Sequence, residues 1–190
     1  MLVTSTPATA PDGTPEGIGL PVFNAMPAGQ AREVLLGCCR AAGWAGKVSA
    51  GRPYPSLGTL LARAGAALTD EDVSEALAGH PRIGDARAAT KSAWSSGEQA
   101  GVSGSDDVVL ADLAAGNRAY EERFGYIYLV CASGRSAAEL LGILRERLRN
   151  EPEAERQVVR DELRKINELR LTKLIRTAHG QRSAPGRGRS

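Results

Sequence analysis

The sequence predicts an all-α protein: a single compact helical domain of about seven to nine helices, with disordered N- and C-terminal tails. Three observations predict it. Apolar residues recur mostly at three- and four-residue spacing, as one face of a helix requires. Capping residues and prolines stand where those stretches begin. Only one segment, Tyr126 to Ala132, has the composition of a strand, and one strand has nothing to pair with. At 190 residues and 42% hydrophobic content, the chain can bury one good core.

Residues 1–20 are Thr, Pro, Gly and Ala in irregular order, too poor in large side chains to offset the entropy of ordering them, and are expected to form a disordered leader. A helical body is expected over 21–179 and a disordered basic tail over 180–190. The first helix is predicted to start just after Phe23-Asn24, with Pro27 in its first turn and Leu35, Leu36, Cys38 and Cys39 inside it, and to end at Gly43-Trp44. Pro53 and Pro55 mark a loop, and Leu57, Leu60, Leu61 and Ala64 then return to helical spacing. Thr69 before Asp70, Glu71 and Asp72 reads as an N-cap with an acidic first turn. That helix must stop at Gly79-His80-Pro81, because a proline disfavours helical backbone in the residue before it.

Leu110, Leu113, Asn117, Tyr120 and Phe124 form one helical stripe, opened by Ser105 and with Asn117 as its odd polar member. Tyr126 to Ala132, bounded by Gly125 and Gly134, is expected to be extended backbone or the start of a helix. Ser136 caps a helix through about Leu148, and Pro152 opens a long last helix to about Thr177.

Composition narrows the function classes. Lys and Arg total 24 against 22 Asp and Glu, so the net charge of +2 creates no field that draws the chain to nucleic acid or an acidic surface. Three cysteines, Cys38, Cys39 and Cys131, are an odd number without paired metal-ligand spacing, which fits a reducing cytoplasmic location and no metal. The first twenty residues lack Lys and Arg, unlike a targeting peptide, and no segment is apolar for the length of a bilayer. The expected partner is a small molecule, with no nucleic acid and no membrane. Two other readings compete: a helical nucleic-acid-binding module using Arg182, Arg187 and Arg189, and a helical hydrolase or isomerase acting on a ureide.

Three places could carry chemistry. His80 sits in Gly79-His80-Pro81-Arg82-Ile83-Gly84, and His179 lies at the edge of the basic tail, so a near-neutral acid or base that is a histidine is His80. The same string also suits a histidine that only interacts with a helix C-terminus. Ser95-Ser96-Gly97-Glu98-Gln99-Ala100-Gly101 offers a hydroxyl, a carboxylate and an amide to a small polar ring, while Ser95 and Glu98 equally have capping-box spacing. Arg170 falls in the middle of the stripe made by Val159, Leu163, Ile166 and Leu174, so its guanidinium needs a carboxylate, a carbonyl or a bound anion.

Five strings in order, His80-Pro81-Arg82-Ile83-Gly84, Ser95-x-x-Glu98-Gln99-Ala100-Gly101, Asn117-x-x-Tyr120-Glu121-x-x-Phe124-Gly125, Gly134-Arg135-Ser136 and Lys165-Ile166-x-x-Leu169-Arg170-Leu171, resemble the OHCU decarboxylases. Phe23-Asn24, Cys38-Cys39, Trp44 and Arg52-Pro53 extend the resemblance over about residues 23–177. It implies an all-α homodimer without metal or organic cofactor, which decarboxylates 2-oxo-4-hydroxy-4-carboxy-5-ureidoimidazoline to (S)-allantoin in urate breakdown. It implies His80 and Glu98 as catalytic residues, and Pro81, Ser95, Gln99, Arg170 and the backbone from Tyr126 through Ile127 to Leu129 as substrate contacts. Three departures bear on local packing: Gly116 stands where an apolar residue is usual, and Tyr54 and Tyr128 where phenylalanine is commoner.

Overall fold

The computed structural model of the protein describes residues 17–83 and 107–176. Among the described residues there are eight helices and no strand: α1 (Leu20–Ala25), α2 (Ala28–Cys38), α3 (Ala42–Ala50), α4 (Leu57–Ala66), α5 (Asp70–Ala78), α6 (Asp107–Phe124), α7 (Ala137–Arg147) and α8 (Pro152–Ile175). The expectations placed on Ser95, Glu98, Gln99, Ser105 and His179 fall outside these residues.

Among the described residues, three of the eight helix starts follow side-chain caps. Ser56, Thr69 and Ser136 each accept the N3 amide of their helix and receive a side chain in return, in full capping boxes. The expected single helix from after Asn24 to Gly43-Trp44 is instead three. Phe23-Asn24 lies inside the short α1, Pro27 is the N-cap of α2, and Cys39 is extended, ending α2 one residue before it. Gly43 and Trp44 do not terminate a helix; they sit in the first turn of α3. The glycine is there for contact, since a β-carbon on Gly43 would lie 2.6 Å from Asp72 Oδ1. Asp72 in turn bonds Lys47 at 2.9 Å and closes the capping box of α5, so helices α3 and α5 are pinned at one point.

The loop after α3 is fastened to α1 by side chains. Arg52 Nη1 donates to the Phe23 and Met26 carbonyls at 2.8 and 2.7 Å, and Asn24 exchanges two hydrogen bonds with the backbone of Tyr54 at 2.8 and 2.9 Å. Each departure from the resemblance is accommodated. The hydroxyls of Tyr54 and Tyr128 donate to the carbonyls of Val48 and Leu140, and Leu144 occupies the space that a side chain on Gly116 would need.

Two apolar cores result. One is built by α1 to α5 with α8, the other by α6 and α7 with Ile83. The segment 126–132 runs extended along the seam between them, and its side chains alternate: Ile127, Leu129 and Cys131 join the first core, Tyr128, Val130 and Ala132 the second. Its strand-like composition is thus a consequence of burial on both faces, not of sheet pairing.

Buried backbone without a neighbouring strand must find other partners. Arg147 Nη1 donates to the Leu129 carbonyl at 2.7 Å, and Glu162 Oε2 accepts the Cys131 N–H at 2.8 Å. The Arg147 guanidinium is 5% exposed and meets Glu155, which is 0% exposed, at 2.5 Å. Tyr120 also donates to Glu155, Asn150 donates to its other oxygen at 2.7 Å, and the guanidinium lies 4.9 Å from the centre of the Tyr128 ring. Burial first, then the hydrogen bond to Glu155, push the Tyr120 phenol far above its ordinary range, so it stays a donor.

Removing one partner of a buried pair strands the other charge, so Arg147→Met should cost about 3–5 kcal/mol of folding stability. Arg145→Ala, which breaks the exposed pair with Asp112, should cost less than about 1 kcal/mol. Urea unfolding of both variants checks this; equal losses would contradict the role given to Arg147.

Candidate active site

Of the described candidates, His80 and Arg170 both adjoin the junction of α2 and α3, and Ile127 and Leu129 belong to the core that contains Cys38 and Cys39. His80 follows the Gly79 C-cap of α5, and its N–H returns to the Leu77 carbonyl at 3.2 Å. Its Nδ1 lies 3.0 Å from the Ala76 carbonyl oxygen. A carbonyl only accepts, which places the proton on Nδ1 and, in the neutral ring, the lone pair on Nε2. The histidine therefore satisfies the end of α5 with one nitrogen and holds the other in the form of a base. Both readings of the string Gly79 to Gly84 are compatible with this geometry. The ring is half-buried, as is Pro81 beside it.

Arg170, on α8, is 4% exposed, and its Nη1 donates to the Cys38 carbonyl at 2.8 Å. A backbone carbonyl is thus a partner of the guanidinium that the sequence placed on an apolar stripe. Three residues earlier, Asn167 is buried against the Cys39 thiol. The junction of α2 and α3 is also where α5 ends: a β-carbon on Gly79 would lie 2.8 Å from Arg40 Cδ, so the stem of Arg40 rests on the peptide before His80. Cys38 to Arg40 supports His80 from one side and Arg170 from the other.

Ile127 is half-buried and Leu129 is 4% exposed, in the same core as Cys38, Cys39 and Ile166. The Leu129 carbonyl is engaged by Arg147, while the N–H groups of Ile127 and Leu129 take no hydrogen bond among the described residues. The Cys39 thiol is a poor nucleophile by position. Burial pushes Cys39 up to about 11, in spite of Asn167 and Arg170 beside it. Among the described residues no group of His, Cys, Asp and Glu could hold a metal ion, and no helix is long and apolar enough to cross a membrane.

Several residues that build this site were not singled out by the sequence reading. Arg147 lies on the stripe of Leu140 and Leu144, and Glu155 on that of Val159 and Leu163. The signal that exposed Arg170, a charge at an apolar position, was present for both. Asn117, noticed only as odd, donates its amide to the Ile83 carbonyl at 2.9 Å.

The fold and site define an all-helical protein in which a histidine at the end of α5 and a buried guanidinium on α8 are both braced on the junction of α2 and α3. The family model for OHCU decarboxylase matches residues 24–172, and the chain belongs to that family. A 2-oxo-4-hydroxy-4-carboxy-5-ureidoimidazoline decarboxylase of Amia calva is 39% identical over 100 residues, 50% of this chain and 57% of that protein. The uric acid degradation bifunctional protein TTL of Arabidopsis thaliana is 46% identical over 66 residues, 35% of this chain and 20% of its own length. The matched regions thus span only part of either curated relative. A crystal structure of an OHCU decarboxylase in the presence of (S)-allantoin superposes with a TM-score of 0.66 at 31% identity, over 76% of this chain and 97% of that one. An (S)-allantoin synthase structure, at 18% identity and a TM-score of 0.62 over 83% of this chain and 54% of that one, shares the fold.

The seam has an acid-sensitive fastening. Burial opposes ionisation of Glu162, but Lys165 at 2.6 Å and the Cys131 N–H hold its carboxyl below the usual range. A depressed folded pKa contributes stability that is complete above the unfolded value of about 4.3 and is lost as pH falls through the folded value. Unfolding free energy should therefore drop below about pH 4, and Glu162→Gln should lower stability at pH 7 while flattening that acid slope. An unchanged slope would remove Glu162 from the account.

Proposed function

We propose that this chain decarboxylates 2-oxo-4-hydroxy-4-carboxy-5-ureidoimidazoline to (S)-allantoin and carbon dioxide, without metal or organic cofactor. The observation that carries the reading is His80, whose Nδ1–H is spent on Ala76 and whose Nε2 is the basic nitrogen, in a chain of the OHCU decarboxylase family.

The substrate explains why so sparse a site suffices. Its carbon bearing carboxylate and hydroxyl adjoins a ring carbon doubly bonded to nitrogen. When the bond to the carboxylate breaks, the electron pair forms a carbon–carbon double bond and the imine pair moves onto nitrogen. Protonation of that nitrogen and of the neighbouring carbon, with loss of the hydroxyl proton, gives allantoin. The protein has to orient the substrate, stabilise developing charge and deliver that proton to one face.

In this scheme His80 Nε2 takes the hydroxyl proton or delivers the returning one, and Pro81 walls the pocket beside it. Arg170 anchors a substrate carbonyl or the carboxylate, its guanidinium held in place by Cys38. The amides of Ile127 and Leu129 donate to the ring. By resemblance Glu98 polarises the ureido-imine side, and Ser95 and Gln99 fix the ring. We further propose that the functional body spans residues 21–179, and that it acts as a cytoplasmic homodimer on this small molecule, with no nucleic-acid or membrane partner.

The substrate can be made in place from urate with urate oxidase and hydroxyisourate hydrolase, and circular dichroism then follows (S)-allantoin. The protein should produce the signal far faster than the spontaneous racemic reaction, with matching release of carbon dioxide. His80→Asn should lower kcat by at least about a hundredfold while remaining folded. Wild-type turnover in that variant would take His80 out of the mechanism.

A further inference from the structure

The residues that tie the His80 segment to α6 serve no purpose in the chemistry above, although they belong to a motif noted in the sequence. Two side chains one turn apart on α6 hold it. Asn117, 6% exposed, donates Nδ2 to the Ile83 carbonyl at 2.9 Å. Glu121 receives Arg82 in a two-point ion pair, Nε to Oε1 at 2.6 Å and Nη2 to Oε2 at 2.7 Å. From the other side, Ala76 and Leu77 hold His80 itself. The four-residue segment is thereby clamped at both ends where it crosses from one core to the other.

The ion pair is a poor device for stability. The side chains of Arg82 and Glu121 are 55% and 27% exposed, and pairs so placed contribute little to folding. What a two-point guanidinium–carboxylate contact does supply is orientation, because both groups are planar and only one relative geometry makes both bonds. Tyr120, between Asn117 and Glu121 in sequence, binds Glu155, which holds Arg147 and through it the Leu129 carbonyl. One turn of α6 therefore indexes the histidine segment against the segment 127–129.

We infer that Asn117 and Glu121 are positioning residues that fix the direction of the His80 ring through Ile83 and Arg82. The inference rests on the reading of His80 given above. A displacement of a base by about 1 Å reduces the rate without changing affinity much, so the effect belongs in kcat.

The experiment is a double-mutant cycle with Arg82→Gln, Glu121→Gln and the combined variant, using the allantoin assay, with Asn117→Ser and His80→Asn alongside. Each single variant of the pair should lose about tenfold in kcat with KM within about twofold, and the combined variant should lose no more than either single. Asn117→Ser should lose kcat to a similar degree, and urea unfolding should show the pair variants as stable as the parent. Unchanged kcat in the single variants, losses confined to KM, or a combined loss equal to the product of the single losses would overturn the positioning role. Inactive His80→Asn beside fully active Glu121→Gln overturns that role alone. Active His80→Asn overturns the reading of His80, and the positioning role with it.

Discussion

An extended backbone buried between two helical cores has polar groups on both edges and no strand to pair with them. Unsatisfied, such groups would cost about 1–3 kcal/mol each. Arg147 and Glu162 meet that demand from α7 and α8, at the Leu129 carbonyl and the Cys131 amide. Once Arg147 is buried it requires a carboxylate, and once Glu155 is buried its second oxygen requires Asn150 and its first requires Tyr120. The choice of residues on three helices follows from one extended segment. Gly125 and Gly134, both at positive φ, let the chain turn out of α6 and into the approach to α7.

The same seam sets where backbone outside the helices lies. Segments that cross between cores leave the helical pattern, so their backbone amides are not consumed by a helix, and Ile127 and Leu129 present such amides among the described residues. His80 stands at a helix end for the same reason, where the chain leaves α5 to cross to α6. Arg170 could not come from a loop. A guanidinium inside apolar surroundings needs a rigid support, and α8 with the Cys38 carbonyl supplies it.

Much of this was legible in the sequence. Caps at Thr69 and Ser136, the stop at Gly79 and the stripe of α6 are local signals, and the structure reproduces them. Arg170 announced itself because one charge among Val159, Leu163 and Ile166 breaks a pattern. The break at Cys39 was not legible, because the nearest glycine, Gly37, lies inside α2 and Cys39 itself carries no turn signal. Gly43 looked like a stop, whereas its lack of a β-carbon serves Asp72, a residue 29 positions away. The continuous apolar run from Tyr126 to Ala132 was readable as buried, but not its neighbours, since helices on both faces leave the same trace as sheets.

The claim on which the rest depends is that His80, Arg170 and the amides of Ile127 and Leu129 face one small polar molecule at the seam. A crystal structure of the protein soaked with (S)-allantoin measures this directly. The account predicts the heterocycle within hydrogen-bonding distance of His80 Nε2, the Arg170 guanidinium and at least one of those two amides. Allantoin bound away from the seam, or in contact with Arg170 while His80 Nε2 is turned elsewhere, would contradict it.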